Sequence, residues 1–199
     1  RHPWFADVVL AVSIEGIGEA GPAMLVELSG PRGWMIDGFR TAAANPIGFS
    51  FLTEVMRVLD ESASDFDVIR DAGIPGLSFA FARGSSIYHT AADDPDELHA
   101  GGMAHNGELA LGVARHFGGV DIAAADGDSA TVFFTVPGYL LVSYPTTWSW
   151  VVYLAGLAAT VAAIRRHRAA DRPDASMGLG IATVAGASLA IAVVVALAW

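Results

Sequence analysis

Residues 7–14 (DVVLAVSI) form a continuous apolar run rich in β-branched side chains, and residues 23–28 (AMLVEL) form another. Short apolar runs bounded by turn residues predict buried strands. The two are separated by a glycine-rich turn, residues 15–22. Phe51, Leu52, Val55, Met56 and Leu59 then recur at helical spacing, which predicts a helix that begins near Asn45-Pro46 and ends before Asp60-Glu61-Ser62. Residues 77–81 (LSFAF), introduced by Gly73-Ile74-Pro75-Gly76, predict a third strand that leads into a polar loop, residues 83–96. A second helix is expected from about His99 to Phe117, with Met103, Ala110, Leu111, Ala114 and Phe117 inward and Gly118 as its stop. The polar turn 121–129 precedes an apolar strand, residues 132–144. Strand, helix, strand, helix order predicts α/β layering around a largely parallel sheet.

Beyond Tyr144 the pattern changes. Residues 145–164 carry no charge, and a helix of that length covers the ~30 Å hydrocarbon core at ~1.5 Å per residue. Trp148, Trp150 and Tyr153 stand at one end, where interfacial anchors lie. A second uncharged run, residues 177–199, is rich in the small residues that let membrane helices approach closely. Between them, residues 165–176 hold Arg165, Arg166, Arg168 and Arg172, and short Arg-rich loops stay on the cytoplasmic side. The expected organisation is therefore an extracytoplasmic domain over 1–144, a transmembrane helix at 145–164, a cytoplasmic loop at 165–176 and a second transmembrane helix at 177–199.

Composition sharpens this division. Apolar residues make up 53% of the 199 and charged residues 16%, below the ~25% of an average soluble domain. Residues 1–144 contain seven Arg and 19 acids, net −12, whereas residues 145–199 are net +2. Without a Lys or a basic stripe the acidic part is unsuited to phosphate backbones, which excludes nucleic acid as the partner. The absence of Cys removes disulfides, thiolate nucleophiles and Cys-ligated zinc, so a metal would be held by His and carboxylate.

Two loops collect suitable groups. Glu15 stands at the end of the first strand, where ligands of open α/β sheets bind, and Gly16, Gly18 and Gly21 follow. The loop Ser85-Ser86-Ile87-Tyr88-His89-Thr90 places His89 four residues before Asp93, a carboxylate able to orient its ring. Asp65, in Ser64-Asp65-Phe66, opens an acidic turn with Asp67, Arg70 and Asp71, which also reads as a helix cap or a surface acid network. His99, His105 and His116 lack the i, i+3 or i+4 spacing that aims two imidazoles at one metal and read as surface residues. There is no HExxH, G-x-S-x-G or P-loop.

Taken in order, Ser13-Ile14-Glu15-Gly16, Gly21-Pro22-Ala23-Met24, Ser64-Asp65-Phe66, Arg70 to Leu77 and Tyr88-His89-Thr90-x-x-Asp93 resemble the second half of a co-catalytic zinc aminopeptidase domain. The family includes aminopeptidase Y and the glutaminyl cyclases, and the likeness is to its membrane-bound branch, the endoplasmic-reticulum metallopeptidases and their bacterial relatives. The resemblance runs from Arg1 to about Pro145. It implies an α/β/α sandwich with a mostly parallel sheet, of which this chain holds part, and two zinc ions that activate a water against a peptide substrate. It also implies that Glu15 and His89 are zinc ligands, that Asp65 and Tyr88 lie near the substrate or behind the ligands, and that Asp93 orders the histidine loop. Ser13 replaces the family's common Asn, and Phe66 a common His.

The family's His-x-Asp and Glu-Glu motifs, which supply further ligands and the general base, are expected upstream of Arg1: no Glu-Glu pair occurs here, and His2 is followed by Pro3 and Trp4. Three functions compete. They are a fragment of a membrane zinc exopeptidase, inactive alone; a non-catalytic, membrane-anchored binding relative, as the transferrin-receptor ectodomain is; and a membrane assembly protein whose apolar tail acts. Retention of both Glu15 and His89 favours the first.

Overall fold

The computed structural model of the chain describes residues 3–59, 64–122, 125, 130–169 and 180. A 3-10 helix, Pro3–Asp7, precedes the first apolar run, which becomes strand β1 over Ala11–Gly16, later than expected. Strand β2 (Met24–Ser29) follows, then helices α1 (Arg32–Ala42), α2 (Ser50–Leu59) and α3 (Asp65–Asp71), strand β3 (Gly76–Phe81) and helix α4 (Ala100–Phe117). Strands β4 (Thr131–Val136) and β5 (Leu140–Pro145) precede helix α5 (Ser149–Ala169). The chain divides into two compact units, Arg1–Pro145 and Thr146–Trp199.

In the first unit β3 is central and all six of its residues are buried. β1 pairs with it in parallel, from Ala11↔Gly76 to Gly16↔Phe81, and β2 pairs with it antiparallel. The largely parallel sheet expected from the sequence is thus corrected. Residues 17–23 are too few for the crossover of a dozen or more residues that a parallel return requires, so β2 runs back. The three helices between β2 and β3 give β3 room to come up parallel to β1.

The sheet extends past β2 irregularly. Leu25 bridges Gly48, with Leu25 N–H donating to Ile47 O at 2.8 Å, and Phe49 bridges Phe134. The residues after Asn45-Pro46 are therefore drawn into the sheet, and α2 begins only at Ser50. Phe51, expected inward, is 66% exposed. The single strand expected at 132–144 is a hairpin, β4 with β5, turning at Pro137-Gly138-Tyr139. Gly138 (φ 91°) and Tyr139 (φ 61°) both take positive φ in this three-residue loop.

Alternation along β3 sorts the two faces. Leu77 and Phe79 enter a core made with Met35, Ile36 and Phe39 of α1 and Leu109, Val113 and Phe117 of α4. Gly76 lies against Phe66 of α3 on the other face, where a Cβ would come 2.9 Å from the ring. Helices thus cover both sides of the sheet. The pairing shifts between Leu25↔Phe79 and Glu27↔Ser78. Without that extra residue Glu27 would stand opposite Leu77 and face the apolar core. With it, Glu27 accepts hydrogen bonds from Arg70 of α3 (3.1 Å) and Ser64 Oγ (3.4 Å).

The inward stripe of α4 is Gly102, Asn106, Leu109, Val113 and Phe117. Met103 and Leu111, expected inward, are 54% and 50% exposed. The helix is rotated because its glycines admit close neighbours: a Cβ on Gly102 would sit 3.1 Å from Gly21 O.

Arg32 of α1 pairs with Glu54 of α2, which also accepts from Arg57 Nε at 2.9 Å. Burial raises the Glu54 pKa, but the hydrogen bonds and charges of Arg32 and Arg57 outweigh it and hold the carboxyl below its ordinary value. A folded pKa below the unfolded one gives stability that is complete above the unfolded value and lost as pH falls through the folded one. Glu54→Gln should therefore cost about 0.5–1 kcal/mol at neutral pH and almost nothing at strongly acid pH, read as the gap between wild-type and variant urea midpoints.

In the second unit Thr146–Trp148 form a 3-10 turn after Pro145 closes β5. Residues 149–164 remain as the uncharged part of α5, about 24 Å long, against a hydrocarbon core of ~30 Å. Among the described residues no helix is long and apolar enough to cross a membrane, so the expected first span gains no support from the structure. Residues 165–169, expected in the Arg-rich loop, are the end of α5. Residues 170–176 and, apart from Gly180, the second apolar run at 177–199 lie outside the described residues.

Candidate active site

Because β1 and β3 run in parallel, their C-terminal ends share one edge of the sheet, where ligands of such folds bind. Glu15, opposite Ala80, is half-buried at that edge and accepts a hydrogen bond from Ser13 Oγ on Oε1 at 3.2 Å. The loop that follows is laid against the chain leaving β3. Ile17 N–H donates to Phe81 O (3.0 Å), Glu19 N–H to Arg83 O (3.0 Å), and Arg83 N–H to Ala20 O (3.0 Å). Gly18 allows this approach, since a Cβ there would lie 3.0 Å from the Arg83 carbonyl carbon.

The chain leaving β3 carries Tyr88 and His89. The two rings stack at 3.9 Å and 21°, and His89 has φ 60°, a backbone state that costs a non-glycine residue ~1–3 kcal/mol. Thr90 Oγ1 donates to Ile87 O (2.5 Å) and accepts from Ala92 N–H (3.2 Å), and Asp93 N–H donates to Thr90 O (3.2 Å). Asp93 is exposed, and among the described residues no hydrogen bond joins it to the His89 ring. His99 N–H then donates to Glu19 O at 2.8 Å, which returns the segment to the Glu15 loop. Glu15, Tyr88 and His89 are thus carried by loops tied to one another. Asp65 is not among them: it is exposed on the first turn of α3, which Ser64 and Asp67 cap reciprocally.

A carboxylate and an imidazole are ligand types that zinc accepts, so Glu15 and His89 fit as two members of a site. A catalytic zinc takes three protein ligands, and among the described residues no group of three His or acidic side chains is gathered.

Helix α4 adds residues that the motifs did not flag. Asn106 is 4% exposed and donates through Nδ2 to Glu15 O at 3.3 Å, and its Oδ1 has no hydrogen-bond partner among the described residues. His105 is half-buried rather than exposed. Its Nδ1 accepts from Ala23 N–H at 3.0 Å, which puts the proton on Nε2, facing Asn45 O at 3.3 Å. His116 is half-buried, edge-on to Phe117 at 5.0 Å, whereas His99 is exposed and caps α4 through Nδ1 to Gly101 N–H at 3.2 Å. Gly21, Pro22, Gly102, His99, His105 and Tyr139 are among the residues lining a cavity of ≈ 250 Å³ beside the Glu15 loop.

The chain is 28% identical over 151 residues to endoplasmic reticulum metallopeptidase 1 of Mus musculus, a match that covers 73% of this chain and 17% of that protein. It is 25% identical over 173 residues to the putative endoplasmic reticulum metallopeptidase 1-B of Caenorhabditis elegans, covering 84% and 19%. To the vacuolar membrane protease of Yarrowia lipolytica it is 27% identical over 153 residues, covering 76% and 15%. It spans less than a fifth of the length of these relatives. No solved structure matches it. Residues 1–114, which include β1 to β3, the Glu15 and His89 loops and most of α4, match Peptidase family M28, and the chain belongs to that family, in the branch of the endoplasmic-reticulum metallopeptidases.

Proposed function

We propose that the chain contributes one side of the active site of a membrane-associated zinc exopeptidase of the aminopeptidase type. The observation that carries this reading is the joining of the Glu15 and His89 loops at one edge of the sheet, through Ile17 to Phe81 and Glu19 to Arg83. Glu15 through its carboxylate and His89 through its imidazole would hold metal. When bound, a pair of zinc ions would supply Lewis acidity and make a water acidic enough to lose its proton and so become a nucleophile toward a peptide carbonyl.

The chain's own residues would do the positioning. Ser13 Oγ fixes the Glu15 carboxylate, Asn106 Nδ2 fixes the Glu15 main chain, and the Tyr88 ring fixes the plane of His89. Asp93 orders the turn after His89, and Asp65 is assigned to the substrate side. We assign the remaining ligands and the base that takes the water proton to the rest of a longer protein, so the 199-residue chain by itself is expected to lack turnover.

Membrane association rests on α5. Its apolar residues are distributed all round, and Trp150, Val152 and Leu154 are 70%, 56% and 58% exposed. A helix apolar on every side needs lipid or protein around it, and the two relatives named for membranes and the endoplasmic reticulum favour lipid.

In the longer peptidase, phenanthroline should abolish release of an N-terminal residue from aminoacyl anilides, and added zinc should restore it. Hydrolysis that survives chelation overturns the reading.

A further inference from the structure

We propose that Ser78, in the middle of β3, is a positioning residue of the metal site, whose hydroxyl keeps the Ser13 hydroxyl aimed at Glu15. The inference rests on the peptidase reading above and deepens it.

Register brings the groups together. Ser78 is the partner of Ser13 on β1 and of Glu27 on β2, so the three stand in one row across the sheet. Alternation puts that row on the face opposite Leu77 and Phe79, and puts Glu15 on the same face as Ser13. Ser78 is fully buried, and its Oγ has no hydrogen-bond partner among the described residues. A hydroxyl withdrawn from water without a partner is destabilising, so its presence on the central strand needs a reason.

Donors and acceptors supply the reason. Ser13 Oγ donates its one hydrogen to Glu15 Oε1 at 3.2 Å and is left with lone pairs, so it can accept. Ser78 holds an unused hydrogen directly opposite, on a neighbouring strand ~4.8 Å away, and hydroxyl side chains bond to one another across strands. Rotation of Ser78 about its Cα–Cβ bond makes the contact without moving the backbone. Once Ser13 accepts from Ser78, its own hydrogen cannot swing toward Ser78 and stays on the carboxylate.

The two carboxylates set the direction of the row. Glu27 accepts from Arg70 on Oε2 and from Ser64 Oγ on Oε1, so its charge is balanced. Glu15 forms no ion pair among the described residues. It is therefore the stronger acceptor, and the hydroxyl hydrogens run from Ser78 through Ser13 to Glu15.

The test titrates zinc, in competition with a chelator, into metal-free samples of the longer peptidase and of its Ser13→Ala, Ser78→Ala and doubly substituted variants. Ser13→Ala should weaken zinc binding about tenfold and Ser78→Ala about fivefold, at or below the ~10–100-fold of a group that touches a ligand. In the Ser13→Ala background Ser78→Ala should change nothing further, because its effect passes through Ser13. In the 199-residue chain the urea midpoint of Ser78→Ala should hold or rise, since a buried hydroxyl without a partner is removed. There the NMR couplings of Ser13 should change from those of one χ1 rotamer to an average. Additive zinc effects, full zinc affinity in Ser78→Ala, a lowered midpoint or an unchanged Ser13 rotamer overturns the proposal. The Ser13 rotamer change without zinc binding by the wild-type peptidase would instead overturn the peptidase reading and keep the hydroxyl row.

Discussion

Glu15→Ala and His89→Ala should each lower kcat/KM of the longer peptidase by more than ~100-fold, with loss of bound zinc measured on the purified protein. Residues that merely orient a metal ligand already cost ~10–100-fold when removed, so removal of a ligand itself must cost more. The folds of the two variants should survive, because Glu15 is at an edge, half-buried, and His89 is exposed. His89→Ala would keep the positive φ that His89 has at 60°, so Tyr88 should lose its stacking partner while the turn remains.

His105→Ala is the informative contrast. It removes the clamp between Ala23 and Asn45 and should cost about 1–2 kcal/mol of stability, yet zinc content should be retained, since both of its ring nitrogens are already engaged. Zinc loss from His105→Ala equal to that from His89→Ala would mean that the wrong imidazole has been assigned to the metal.

The ligand candidates were legible because each sits in a local motif. Glu15 closes an apolar run and precedes three spaced glycines, and His89 stands in Tyr-His-Thr with an acid four residues on. β3 was legible for the same reason, as five apolar or small residues between turn signals. What escaped the pattern was decided by distant partners. Asn106 meets Glu15 across 91 positions and His105 meets Ala23 across 82, so nothing near either residue marks its role.

The direction of β2 followed from a short link, and the orientation of Glu27 from one extra residue in its pairing with β3. The turn of the β4–β5 hairpin did have a signal, the Pro137-Gly138 dipeptide, within a run that hydropathy alone makes continuous. Helix α1 had almost none. Its N-cap is Pro31, without a side-chain hydrogen bond, and Gly33, Asp37 and Gly38 interrupt its apolar residues. Gly38 is required by tertiary packing, because a Cβ there would run into the Phe117 ring.

That unmarked helix carries the largest expected stability effect. Phe39 of α1 is fully buried, and its ring lies 5.2 Å from that of Phe79 on the central strand. Phe39→Ala removes the ring and leaves a void between α1 and the sheet that the close contacts at Gly38 and Gly112 keep from collapsing. The expected cost is ~3–5 kcal/mol, a large part of the ~5–15 kcal/mol that holds a domain together. Phe39→Leu should recover about half of it, because much of the volume is restored. Phe51 supplies the opposite case: its spacing in the sequence places it on an inward face, but at 66% exposure Phe51→Ala should change stability by no more than about 0.5 kcal/mol. Urea denaturation of the three variants separates pattern from packing. A larger loss from Phe51→Ala than from Phe39→Ala would overturn the docking of α1 on β3, and with it the wall that supports the edge carrying Glu15.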